Sequence, residues 1–357
     1  MPPGTPATPE GVDGVPTAGP YYVAAHVPNR SLVLRRNPGY RGARRGALAE
    51  IRYRIGVPAE RGVAAVEAGR ADFVPLAAPN IGPGADAALV RRLAARYGPH
   101  SQAARAGRQR LFTGPAPNVY WFGFNTRRPL FADIRMRRAV NYAIDRRALA
   151  QHTGGGEAGR PTDQIIPPGM PGFRDAAIFP LGGPDLATAR RLAGTKERRA
   201  VLYTCNLPGC ARHAEILRSN LRAIGIELDV RQFSIAQMFT RVNTRPDEPF
   251  DIAYQNWFYD AADPANFINL PFGPGTPNVR MFEDPELDRR MADAAGLSGA
   301  RRYRAYAALD RDLSARFAAV APFATGSSSY LLSKRMGCVR LHPIFGLDLT
   351  KLCVRRG

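Results

Sequence analysis

Lysine is almost missing from this 357-residue chain, occurring only at Lys196, Lys334 and Lys351, so its 50 basic residues are nearly all arginine, set against 30 acidic ones. A formal charge of +20 would ordinarily point to nucleic acid or an anionic membrane. The arginines are scattered through every segment, however, whereas a nucleic-acid reader gathers its basic residues on one face or helix. With abundant Ala, Gly and Pro, that spread looks like the coding bias of a GC-rich genome, and nucleic acid is not expected as a partner. Long apolar runs are missing too: no window approaches the roughly 18 uninterrupted apolar residues of a membrane helix. The opening MPPGTPATPEGVDGVPTAGPYY has neither a basic n-region nor an apolar h-region, so no signal peptide is expected there.

Catalytic signatures are lacking as well. No GxSxG, HExxH, Walker loop or GxGxxG is present, and the histidines at 26, 100, 152, 213 and 342 have no metal-ligand spacing. No enzyme, cofactor or metal site is therefore expected. Four cysteines form two close pairs, Cys205 with Cys210 and Cys338 with Cys353. Short-loop disulfides in an exported protein and buried free thiols both fit this arrangement. Cys205 as a nucleophile beside His213 is the weaker alternative.

What is present suffices for two core-forming domains. Strand-like Tyr21–His26 and Ser31–Arg36 flank a Pro-Asn turn and predict a hairpin, and the pattern from Glu50 to Pro75 predicts a βαβ-like unit. An aromatic strand at 118–125 precedes one helix over 134–150 with Asp133 as its N-cap, and the Gly- and Pro-rich 153–184 predicts a long surface-hugging loop. Strands at 200–203, 226–233 and 250–257 alternate with helices at 211–224 and 235–242, and a long helix is expected near 300–317. The class is α/β.

The stretch Trp257-Phe258-Tyr259-Asp260-Ala261-Ala262-Asp263-Pro264-Ala265-Asn266-Phe267 sets two acids behind three aromatics at a strand-to-helix turn. Asp263 before Pro264 suits an N-cap. Asp260 has no such role, and burial among aromatics would demand a cation: an arginine of the chain, or an ammonium from outside. Ligand sites of α/β folds lie at the carboxyl ends of strands, as this turn does.

Trp257, Asp260, Asp263-Pro264 and Asn266-Phe267 resemble the signature turn of the family 5 solute-binding proteins that serve dipeptide, oligopeptide and nickel ABC importers. Gly19-Pro20-Tyr21, Arg36-Asn37-Pro38 with Tyr40, Ala68-Gly69 with Asp72-Phe73, and Asn220 to Ile226 fit other elements of that family in order. The run from Phe124-Asn125-Thr126 through Asn141-Tyr142-Ala143-Ile144-Asp145-Arg146 is similar to its most recognisable element and is expected to be structural.

The resemblance implies a type II periplasmic-binding-protein-like fold of two lobes with mixed sheets: residues 1–118 and 326–357 in the first lobe, 119–325 in the second. It also implies that the N-terminal part of the first lobe is missing. The expected function is capture of a peptide, or a related solute with a cationic end, outside the cytoplasm for delivery to ABC permease subunits. Asp260 would hold the ammonium, with Trp257, Phe258 and Tyr254 as walls. Where dipeptide-specific members place an arginine for the ligand carboxylate, this chain reads Thr204-Cys205-Asn206-Leu207-Pro208-Gly209-Cys210, leaving Asn206 as the candidate contact. A truncated, non-binding relic and a cationic nucleic-acid-associated protein are the alternatives.

Overall fold

In the computed structural model the described residues are 17–44, 46–77, 87–153, 159–245, 247–258, 260–274, 281–342 and 346–355; Tyr259 and the first sixteen residues lie outside them. Contacts divide the chain into two compact units, Met1–Leu76 with Leu93–Gly114 and Ser329–Gly357, and Ala77–Arg92 with Pro115–Ser328.

The first unit carries a three-stranded antiparallel sheet, Tyr21–Val27, Ser31–Arg36 and Glu50–Arg54, joined in that order. The expected hairpin is present, with Asn29 taking the positive φ of 56° that its turn needs. Helix Ala59–Glu67 and strand Phe73–Ala77 follow, and Val63, Val66, Val74 and Leu76 are buried. Asp72 accepts from Nε and Nη2 of Arg335, at 2.6 and 2.8 Å, and from Ser333 Oγ at 3.1 Å. Cys338 and Cys353 form a disulfide across the short pair of strands Met336–Gly337 and Cys353–Val354.

The second unit is built on a mixed sheet. Five of its strands are β1 (Leu111–Phe124), β2 (Arg198–Cys205), β3 (Ile226–Phe233), β4 (Ile252–Phe258) and β5 (Val320–Leu332), which lie in the order β5-β1-β4-β2-β3, and the short strand Arg160–Pro161 also pairs with β5. β1 and β5 run on into residues of the other unit. β1 meets β4 antiparallel, while β2 is parallel to both β4 and β3. Alternation along β1 sends Tyr120, Phe122 and Phe124 to one face, where they join Tyr254, Leu217 and Phe323 in the core. Phe122 stacks on Phe323 at 4.8 Å and Phe124 on Phe131 at 4.7 Å. The helices used below are α1 (Ile134–Ala143), α2 (Pro208–Arg222), α3 (Ile235–Thr244), α4 (Ala265–Phe272) and α5 (Gly299–Arg311).

Two expectations are corrected. The single helix over 134–150 is two, because Ile144 turns extended and Asp145 caps a new helix, Arg146–Gln151, by accepting the Ala148 amide at 2.9 Å. The break swings Arg146 into the interior. Fully buried, its guanidinium donates to Asn141 O, Asn141 Oδ1, Thr162 O and Pro322 O. The loop after 153 does not stay on the surface either: Ile165 and Ile166 are fully buried. Their amides, with Gln164 Nε2, donate to the carboxylate of Asp310 on α5, which relieves the backbone of its need for water.

Candidate functional site

β2 and β4 are parallel, so the loops beginning at Asn206 and after Phe258 leave the same end of the sheet, with Cys205 level with Gln255 and β4 running on to Phe258. Cys205 and Cys210 are joined by a disulfide, which ties the end of β2 to the first turn of α2. Asn206 is exposed, and its amide donates to Phe233 O at the end of β3 at 2.8 Å.

The two acids of the turn have different fates. Asp263 accepts the Ala265 amide at 2.8 Å, but Pro264 occupies the N-cap position and α4 begins one residue later than the proline spacing suggests. The larger interaction is with Arg302 on α5, whose Nε and Nη2 reach the carboxylate at 2.9 and 2.7 Å. That guanidinium holds the Asp263 carboxyl below its ordinary range, and its Nη1 also donates to Ala294 O and Ala295 O. The internal arginine thus belongs to Asp263. Asp260 is exposed instead of buried, and among the described residues it forms no ion pair.

Asn266 fixes the turn, a role the sequence reading did not give it. Its Oδ1 accepts both Trp257 Nε1 at 3.2 Å and the Asp260 amide at 3.3 Å, coupling the indole to the backbone that carries the acid.

The aromatics do not form one wall. Consecutive strand residues point to opposite faces, so Phe258 and Tyr254 share one face of β4 and Trp257 the other. Phe258 is 39% exposed at the strand end. Tyr254 is a core side chain, packed between Tyr120, Phe122, His213 and Phe323, and burial raises its phenol well above its usual pKa. Trp257 alone of the three lines a cavity of about 110 Å³, which lies between the non-core face of β1 and β4 and helices α3 and α4. Trp121, Gln255, Met238 and Phe272 contribute to its walls, and Ile235 and Phe239 of α3 are exposed nearby. A larger hollow of about 910 Å³, lined by Arg198, Arg199, Arg218 and Arg222, sits at the opposite ends of β2 and β3. Among the described residues no group of acids, histidines and cysteines could hold a metal, and no helix is long and apolar enough to cross a membrane.

The model of bacterial extracellular solute-binding proteins, family 5 (middle region), matches residues 4–278. The chain belongs to this family. Among curated relatives it is similar to the oligopeptide-binding protein OppA of Bacillus subtilis, with 26% identity over 50% of this chain and 34% of that protein. It also resembles the probable di/tripeptide-binding protein 5 of Pseudomonas aeruginosa, with 24% identity over 68% of this chain and 47% of that one. The chain therefore spans about half the length, or less, of these relatives. In structure it resembles the dipeptide binding protein of Pseudoalteromonas sp. SM9913 in complex with Met-Leu, with a TM-score of 0.73 and 20% identity over 94% of this chain and 64% of the other. The likeness confirms a periplasmic-binding-protein-like α/β fold. The family and these neighbours are solute-binding proteins, not enzymes, and the family is extracellular.

Proposed function

We propose that this chain acts as the solute-binding component of an ABC importer, capturing a peptide or a related solute with a cationic end through Asp260 and delivering it to membrane permease subunits. It performs no chemistry on its cargo. The reading is carried by the contrast within one turn: Asp263 is matched internally by Arg302, whereas Asp260, at the carboxyl end of β4, stands exposed with no ion pair among the described residues. The peptide-binding relatives point to the same class of solute.

An ammonium at Asp260 would make a charge-assisted hydrogen bond worth roughly 1.5–3 kcal/mol, or about 10- to 100-fold in affinity. Calorimetric titration with a pool of di- to pentapeptides tests this, run beside Asp260→Ala and beside the same peptides N-acetylated. Binding should weaken by about that factor with either change. Equal heats from free and acetylated peptides would remove Asp260 from the account.

A further inference from the structure

The fold treats the two tryptophans of the chain differently. Trp257 Nε1 has its acceptor in Asn266, whereas Trp121, only 2% exposed, finds no acceptor for its indole N–H among the described residues. Directly across the β1–β4 ladder from Trp121 stands Gln255, whose Nε2 is likewise buried without a partner among the described residues. Cβ atoms of facing cross-strand residues lie about 5 Å apart. Two donors without a partner among the described residues therefore belong to facing residues that both line the 110 Å³ cavity.

The other walls define what could meet them. Phe272 packs against Trp121 with ring centroids 5.7 Å apart, and Met281 covers Gly123 so closely that an added Cβ there would come 2.5 Å from its methyl. Asn243 and Asn256 are the remaining polar walls, and no lining residue is charged. A buried donor left unpaired costs roughly 1–3 kcal/mol, so the pair calls for an acceptor. A carboxylate would arrive without a counter-cation and lose its hydration. An amide oxygen carries two lone pairs and no charge, and can accept from both donors at once. The space is several times the ~10–15 Å³ that admits one water, enough for a short stem as well.

We propose that this cavity is a selectivity pocket for a carboxamide-bearing side chain of the captured solute, its oxygen accepting from Trp121 Nε1 and Gln255 Nε2 and its stem lying against Phe272 and Met281. The proposal takes from the preceding reading that the solute is held at Asp260, but the chemistry of the pocket can be tested without it.

With only two tryptophans, the indole N–H resonances of a ¹⁵N-labelled chain are assigned by a Trp121→Phe variant. Titrated propionamide should shift the Trp121 signal saturably and leave Trp257 nearly still, while propylammonium and propionate do neither. In calorimetry, a peptide with a free amino terminus and a glutamine should bind about tenfold tighter than its leucine counterpart. Trp121→Phe should erase that preference while leaving the dependence on Asp260, and Gln255→Leu supplies a second variant if the first unfolds by circular dichroism. No saturable response to propionamide would mean that water alone serves the two donors and would overturn the pocket. Equal binding of glutamine and leucine peptides, with the Asp260 dependence intact, would overturn its selectivity and leave ammonium capture standing. A propionamide response without any peptide binding would keep the pocket and remove the Asp260 reading.

Discussion

Acidification to about pH 5 should weaken the second unit through one imidazole. His213 on α2 is fully buried, stacked on Tyr254 at 5.7 Å and set edge-on to Phe323 at 5.2 Å. Its Nε2 lies 3.1 Å from Leu149 O, which can only accept, so Nε2 carries the proton and Thr153 Oγ1 at 3.2 Å completes its surroundings. Nδ1 has no partner among the described residues. Protonation would place an unpaired donor and a net charge in an aromatic core, and burial accordingly lowers the pKa from 6.5 to about 4. The folded value lies below the unfolded one, so the stability is present above the unfolded pKa and is lost as pH falls from 6.5 toward 4. Between about pH 7.5 and pH 5 the loss works out to about 2 kcal/mol. Urea unfolding of the parent and of His213→Gln at both pH values isolates this contribution from the other titrating groups: the parent should lose about 2 kcal/mol more than the variant. Equal losses in the two would refute the buried, neutral imidazole.

The two disulfides should differ in worth because they close loops of different length. Removing Cys338–Cys353, which spans 15 positions, should cost about 3 kcal/mol, against about 2 kcal/mol for Cys205–Cys210, which spans 5. Denaturant midpoints of the paired Cys→Ala variants check the order, and the reverse order would contradict it. Arg302→Ala should destabilise by about 1–2 kcal/mol, chiefly through the carbonyls of Ala294 and Ala295 that lose a charged donor, since the Asp263 carboxylate is partly in solvent. Asp263→Ala should cost less, and thermal unfolding of the two variants distinguishes the contributions.

Much of this was legible because periodicity and turn chemistry act locally. The hairpin at 21–36, the strand–helix–strand run from 198 to 233 and the family motifs all announce themselves in short stretches. What escaped depends on partners distant in sequence. Asp310 holds Ile165 and Ile166 from 145 and 144 positions away, so a Gly- and Pro-rich segment that reads as surface is drawn inside. Arg302 reaches Asp263 across 39 positions, and nothing near Asp263 or Asp260 in the sequence says which acid it serves. The error over the aromatic wall had a local remedy: strand alternation already separates Trp257 from Phe258 and Tyr254. Asn266 could have been suspected from its place in the turn, but its double role appears only when the indole and the Asp260 amide converge on one oxygen.

Neither compact unit is a continuous piece of chain, and that sets an order on biosynthesis. Every residue of the second unit has been made once Ser328 is added, whereas the first still needs 329–357. Asp72 waits for Arg335, 263 positions later, and Cys338 waits for Cys353. A nascent chain growing from its amino terminus can therefore finish the unit bearing Asp260 while Asp72 and its neighbours stay without their partners.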